Sequence, residues 1–168
     1  MILPLEGDAI QGWKAGQPVT FSDTSALEGS PMFSPDGRWL VYSSSESGRS
    51  EVYVRPFPGP GGKWLISTRG GDLPTWSPTK PEIIFNADGQ IMVAGFTVDG
   101  DSFRAEKPRP WPSGRFQTRG QSRLFDVHPD GERLALAPAL QTAGYSEQDS
   151  VVFFFHFFDE LRRIAPKP

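Results

Sequence analysis

The chain contains no cysteine and only two histidines among its 168 residues. Without thiols it can form neither disulfide bonds nor a thiolate zinc site, and two imidazoles are too few for a histidine-rich metal cluster. Its charges are nearly balanced, with 17 Lys and Arg against 20 Asp and Glu. Because a nucleic-acid partner requires a basic surface, this balance predicts no nucleic-acid binding. We also expect no cofactor and no bound metal.

Long apolar runs are missing as well. The most apolar stretch, 151–158, is about eight residues long and includes His156. A helix that spans a bilayer needs about 20 apolar residues, so a buried strand explains this stretch better. No charged-then-apolar leader opens the sequence. We therefore expect no membrane contact in this segment.

Aromatic residues and turn formers are abundant instead. The chain has 13 Phe, 5 Trp and 3 Tyr together with 18 Gly and 17 Pro. Aromatic side chains favour strands, whereas Gly and Pro favour tight turns. The combination predicts an all-β fold of many short strands.

A turn motif occurs three times. Ser34-Pro35-Asp36-Gly37, Ser77-Pro78-Thr79-Lys80 and His128-Pro129-Asp130-Gly131 are 43 and 51 residues apart, and each is followed by an apolar segment. Pro sets φ at the second position of a turn, Asp bonds the downstream backbone, and Gly accepts a positive φ. Repeats of this length are typical of four-stranded propeller blades. The apolar segments are too dense for strict alternation, as expected where sheets pack face to face.

The repeat predicts a partial β-propeller of about three four-stranded antiparallel blades, followed by a short C-terminal helix. The expected units are an incomplete blade at 1–21, full blades at 30–68 and 73–111, an incomplete blade at 122–157 and a helix at 158–164. The turn Asp88-Gly89 separates the second and third strands of the 73–111 unit. Prolines near 103–111 indicate an exposed outer strand, because Pro cannot donate to a ladder.

The whole chain resembles the C-terminal part of the WD40-like, TolB-type propellers that many bacterial serine/threonine kinases, especially acidobacterial ones, carry after the kinase domain. The resemblance is most specific over 30–44 and over 51–64, where Val-Arg-Pro-Phe-Pro-Gly-Pro follows Glu-Val-Tyr. The ending 158–166 is similar too. The resemblance implies a binding or structural module, periplasmic if it belongs to a longer membrane-anchored kinase and otherwise cytoplasmic.

Several features depart from that family. Thr79-Lys80 replaces Asp-Gly, so this turn is expected to be less ideal, and His156-Phe157 stands where the family has Asn-Trp. The chain has no glycine-rich nucleotide loop, strand lysine or His-Arg-Asp loop, so kinase activity is not transferred. We predict that the protein is not an enzyme. The alternatives are a propeller lyase or lactonase with a channel metal, and a structural fragment of a kinase sensor region.

Candidate contacts for a protein or small ligand are His156, Arg55, Arg119 and Tyr145, with the loops 43–50, 58–62, 112–120 and 139–149 as the first places to look. The interleaved arginines also fit solvated faces with cation–π contacts. Gly144-Tyr145-Ser146 lacks the second glycine of a nucleophile elbow. Asp36, Asp88, Asp99 and Asp130 each precede glycine, which favours turns over a calcium site.

The blade count predicts assembly. Complete propellers have about four to eight blades, so three blades leave unpaired edges and apolar faces. We expect two chains to pair through these edges into a pseudo-six-bladed ring, with the strand near 17–21 serving as the outer strand of the last blade in its own chain or its partner's. A truncated piece of a longer propeller is the competing explanation.

Overall fold

A computed structural model describes residues 1–115 and 125–136. Within these ranges every regular element is a β-strand, every ladder is antiparallel, and no sheet closes on itself, which confirms the all-β prediction at that level. The strands are β1 Leu5–Asp8, β2 Gly12–Ala15, β3 Glu28–Phe33, β4 Trp39–Ser44, β5 Glu51–Pro56, β6 Trp64–Leu65, β7 Asp72–Trp76, β8 Glu82–Ala87, β9 Gln90–Asp99, β10 Ser102–Ala105, β11 Arg109–Arg115, β12 Phe125–Val127 and β13 Leu134–Leu136.

The first sheet has the order β3-β4-β5-β6, so consecutive strands are neighbours. The turn 34–38 joins β3 to β4, and the six residues 45–50 join β4 to β5. The last strand is short, with only Trp64 and Leu65 paired to β5.

The second sheet begins in the same way, with the order β7-β8-β9-β10. Asp88 and Gly89 form a two-residue hairpin between β8 and β9, and their φ values of 49° and 72° are those of a type I′ turn. The single outer strand expected near 103–111 is divided in two. Both parts pair with β9, β10 near its end and β11 near its start, and Pro108, which has no N–H to donate, lies between them.

The three proline turns are closed by the same hydrogen bond, although Lys80 lacks the positive φ of Gly37 and Gly131 and bonds the Ser77 hydroxyl instead of its carbonyl. In each, the first residue donates its N–H to the carbonyl five positions later, from Ser34 to Trp39 at 2.8 Å, from Ser77 to Glu82 at 2.9 Å and from His128 to Arg133 at 2.9 Å. The strand register is also shared, since Phe33 faces Leu40, Trp76 faces Ile83 and Val127 faces Leu134. The sequence repeat is therefore a structural repeat.

A bulge reinforces the equivalence of β3 and β7. Both strands carry one extra residue relative to their partner, between Gly29 and Met32 and between Asp72 and Thr75. Each bulge contains a left-handed residue four positions before the turn, Ser30 with φ 51° and Leu73 with φ 53°. A bulge of this kind bends a strand and re-aims its side chains.

The sheets pack face to face. One face of the second sheet, through Ile83 and Phe85, contacts Val41 and Val54 of the first sheet in one core. The opposite face, through Ile84, Ile91 and Val93, packs on Phe125 and the partly buried Leu134 and Leu136 of the third hairpin, β12–β13. Burial on both faces explains why the segment Ile83-Ile84-Phe85 is continuously apolar.

The N-terminal segment forms a hairpin of β1 and β2, whose turn is stabilised by Asp8 accepting the N–H groups of Ile10 and Gln11 at 2.8 and 2.7 Å. The strand β2 was not expected from the sequence. Near the expected strand 17–21, Val19 forms a single bridge with Ile2. The expected helix 158–164 and most of the unit 122–157 lie outside the described residues.

Candidate functional site

Arg55 lies on the face of the first sheet that is turned away from the second sheet. Along β5, Val52 and Val54 are fully buried in the core between the sheets, so alternation places Glu51, Tyr53 and Arg55 on the other face. Arg55 is only partly exposed. Every other Lys or Arg whose side chain the structure describes is exposed.

Arg55 contacts Phe21 and also donates a hydrogen bond to the Tyr42 hydroxyl. Its Nη1 donates to the Phe21 carbonyl at 3.1 Å, and its guanidinium carbon lies 5.0 Å from the centroid of the Phe21 ring. No carboxylate of residues 1–115 or 125–136 lies within ion-pair distance of this guanidinium, whereas most of the exposed arginines in this part of the chain have one. The paired arginines are Arg38 with Asp101, Arg49 with Glu51, Arg109 with Glu82 and Arg133 with Asp130.

A cleft of about 200 Å³ opens beside Arg55. Ile2, Pro4 and residues 19–21 form one wall. Residues 55–60, which are the end of β5 and the start of the proline-rich loop after it, form the other. Phe57 is held in place by its N–H, which donates to the Arg38 carbonyl at 2.8 Å, and by ring contacts with Phe21 and Phe33 at 6.4 and 4.9 Å. We call this space the Arg55 cleft. Its walls are mostly apolar, and it holds one cation.

Tyr42 lies beneath the same segment. Its ring meets the edge of Phe21 at 6.3 Å and lines a second, smaller cleft of about 130 Å³ on the other side of Phe21, together with Glu28 and Leu40. Burial raises the pKa of the Tyr42 hydroxyl to about 12, an effect that the nearby positive charge of Arg55 opposes. The phenol is therefore neutral at physiological pH and is available as a hydrogen-bond donor.

A third cleft, of about 300 Å³, lies between the first two proline turns and is lined by Asp36, Trp39, Trp76, Ser77 and Lys80 among others. Its charged groups are already engaged. Asp36 accepts the Ser34 hydroxyl at 2.5 Å, a hydrogen bond that holds the pKa of this carboxyl below its usual value, and Lys80 pairs with Glu132 at 2.7 Å. This leaves the Arg55 cleft as the stronger candidate for a charged ligand.

The sequence-predicted contact residues are not all placed. Arg55 lies in the cleft described above, while His156, Arg119 and Tyr145 lie outside the described residues, so the structure does not test whether they join it. Of the loops expected to carry ligands, 58–62 contributes Pro58, Gly59 and Pro60 to the cleft. No local pattern indicated Phe21 as a wall of the cleft, because its partner Arg55 is 34 positions away.

The aspartates that precede glycine act as turn residues. Asp36 accepts the N–H of Arg38 at 3.1 Å, Asp130 accepts the N–H of Glu132 at 2.9 Å, and Asp88 occupies the type I′ hairpin. Nowhere in residues 1–115 and 125–136 do three His, Asp or Glu side chains gather as metal ligands do. In the same part of the chain there is no helix long and apolar enough to cross a membrane.

In comparisons with known proteins, no protein-family model matches the chain, and no curated protein matches it significantly.

Proposed function

We propose that the protein is a non-catalytic binding and assembly module built as a partial β-propeller of the WD40-like, TolB-type kind. The observation that carries the proposal is the shared register and closing hydrogen bond of the three hairpins, each of which opens a separate sheet. Successive sheets that begin with equivalent hairpins and pack face to face are what radially arranged blades require. The bulges at Ser30 and Leu73 give two of these sheets the same bend.

The proposed assembly is a homodimer that completes a pseudo-six-bladed ring. About three blades are fewer than the four to eight of a closed propeller, and an open arrangement leaves apolar flanks to be covered. A second copy of the chain, related by a two-fold axis, could cover these flanks without any other protein. Binding of another protein or a small ligand would then use the loops and clefts of this ring.

The N-terminal hairpin supports a partner of this kind. Ile10 at its turn is 95% exposed and Trp13 is 62% exposed, with Leu3 and Leu5 also exposed beside them. Large apolar side chains grouped on one short hairpin mark an interaction surface more often than scattered exposed residues do. We assign this surface, Leu3, Leu5, Ile10 and Trp13, to the contact between copies.

Light scattering after size-exclusion chromatography tests the assembly. We expect a particle of twice the 18.6 kDa chain mass at micromolar concentration. The double variant Ile10→Ser/Trp13→Ser should shift the population to monomer. Leu65→Ser, which alters a similarly exposed side chain on β6, is the matched control and should remain dimeric. A stable, folded wild-type monomer would contradict the ring.

Metal analysis of the purified protein tests the non-catalytic part of the proposal. We expect no stoichiometric divalent ion. One tightly bound ion per ring would instead favour the lyase- or lactonase-type enzyme.

A further inference from the structure

We propose that the Arg55 cleft is a binding site for a singly charged carboxylate attached to a small apolar group. This site is complete in one chain, because all of its walls come from residues 2–60. The described lining therefore needs no residue from a second chain, and the test below measures ligand binding, whereas the test of the ring measures particle mass.

The charge of Arg55 is the first argument. Removing a cation from water costs free energy unless a partner compensates it. This cost is smallest for the exposed arginines, because they remain in contact with water. Arg55 is the one partly buried Lys or Arg among the described side chains, and no described carboxylate pairs with it. A ligand anion in the cleft would supply the missing partner.

The geometry of the guanidinium is the second argument. Arginine carries five N–H donors in a planar fork that matches both oxygens of a carboxylate. One donor, on Nη1, is used by the Phe21 carbonyl, and the ring of Phe21 covers one side of the group. Tyr42 accepts a second hydrogen bond from Arg55. Two of the five N–H donors are then used, and the other three are left for an anion.

The walls define the remainder of the ligand. The apolar surfaces of the cleft, which can contact hydrocarbon or an aromatic ring, come from Phe21, Phe57, Pro58 and Pro60. Proline and aromatic side chains have few rotatable bonds, so they lose little conformational entropy when a ligand binds. The volume of about 200 Å³ is below the usual range for a drug-sized ligand, which limits the occupant to a small acid or the last side chain of a peptide.

The single cation in the cleft also limits the charge that the ligand can carry. A phosphate dianion is normally held by several cations or by a row of backbone N–H groups. The cleft contains Arg55 alone as a charged residue, so a monoanion matches it better. Free small acids and peptide C-termini share this chemistry, a carboxylate on an apolar body.

Titration of the wild-type chain with phenylacetate and with phenylacetamide, followed by protein NMR, tests the proposal. The two probes have the same ring and differ in charge. We expect phenylacetate to perturb resonances around the cleft and to bind about tenfold more tightly than the amide, as one charge-assisted hydrogen-bonded pair implies. A dipeptide, N-acetyl-Leu-Phe, forms the second arm, since tighter binding of this free acid than of phenylacetate indicates a peptide C-terminus as the source.

Two substitutions separate binding from tethering. Arg55→Gln removes the charge and leaves a shorter, neutral hydrogen-bonding side chain on β5, so we expect phenylacetate affinity to fall about tenfold while the fold is retained. Arg69→Gln removes an exposed arginine outside the cleft and should leave affinity unchanged. Equal binding of phenylacetate and phenylacetamide to wild type, or no binding of phenylacetate at millimolar concentration, would overturn the proposal even if Arg55→Gln failed to fold.

Discussion

The two faces of the first sheet differ in what covers them. The face turned to the second sheet packs Trp39, Val41, Val52 and Val54 against another sheet, with these side chains at most 2% exposed. The opposite face presents Leu40, Tyr42, Tyr53 and Arg55, and the irregular segment around Phe21 lies over Tyr42 and Arg55. Both faces contain well-buried residues, yet the two clefts beside Phe21 lie over the second face.

This difference follows from how regularly each covering element packs against the sheet. A strand meets its neighbour through a regular alternation of side chains, so two sheets interdigitate closely in their core. The cleft of about 300 Å³ on this side lies at the edge of that core, between the first two proline turns. An irregular segment makes contact at a few side chains and leaves gaps between them. The sheet-covered face therefore determines stability, whereas the segment-covered face can hold a charge and a ligand. Each prediction below changes one of the two faces.

The largest expected effect is on the sheet-covered face. Trp39→Ala removes a fully buried ring that contacts Trp64 and Phe103 at 5.5 and 5.2 Å. The cavity should lower the free energy of unfolding by about 3–5 kcal/mol. Urea unfolding followed by circular dichroism measures it.

Trp39→Phe is the control for that experiment. It keeps most of the volume and removes an indole Nε1 that has no hydrogen-bond partner, so we expect a much smaller loss. An equal loss in the two variants would mean that something other than the cavity determines stability at this position.

The next effect concerns Glu51, at the start of β5. Its buried carboxylate accepts the Arg49 Nε at 2.5 Å, the Ser67 hydroxyl and the Gly70 N–H, and so fixes the loop that leads to the second sheet. Glu51→Ala leaves these donors unpaired, and we expect a loss of about 2–3 kcal/mol in the free energy of unfolding.

Glu46→Ala is the matched control for Glu51→Ala. It breaks a more exposed pair with Lys63 and should cost less than about 1 kcal/mol. Comparable losses would show that the burial of Glu51 contributes nothing.

Local sequence patterns predicted the hairpins well because their causes are local. Pro35, Gly37, Asp88 and Gly89 each fix a backbone angle or a turn bond within a few residues, and the strands on either side follow. The same logic failed for β2, a short strand of exposed residues whose pairing comes from the turn at Asp8. It also missed the division of the outer strand at Pro108.

Contacts between distant residues explain the remaining differences. Thr79 and Lys80 were expected only to weaken a turn, yet they join the second turn to the third. The Thr79 hydroxyl donates to the Asp130 carbonyl at 3.2 Å, and Lys80 pairs with Glu132, whose hydrogen bond raises the pKa of the lysine. The Arg55 cleft likewise forms because the segment before β3 places Phe21 over the first sheet. No local pattern encodes such an approach.

On the segment-covered face, Phe21→Ala should have a moderate effect. Phe21 is partly buried and contacts Tyr42, Phe57 and Arg55. We expect the free energy of unfolding to fall by about 1–1.5 kcal/mol, less than for a fully buried ring. Limited proteolysis should also cut within residues 1–21 faster, while cleavage within 28–56 is unchanged. Equal acceleration in both regions would show that the segment and the sheet unfold together.

The smallest effect at neutral pH is expected for Tyr42→Phe, which removes only a hydroxyl from the segment-covered face. Because burial raises the folded-state pKa of Tyr42 to about 12, above the ordinary value of 10.0, the folded protein holds this proton more tightly than the unfolded chain. Its contribution to stability is full below pH 10 and is lost as pH rises towards 12. Ultraviolet titration should show one tyrosine ionising near pH 12 in the wild type and not in Tyr42→Phe. The variant should also lose less stability than the wild type between pH 10 and 12, and identical alkaline unfolding of the two proteins would mean that the cover over Tyr42 admits water freely.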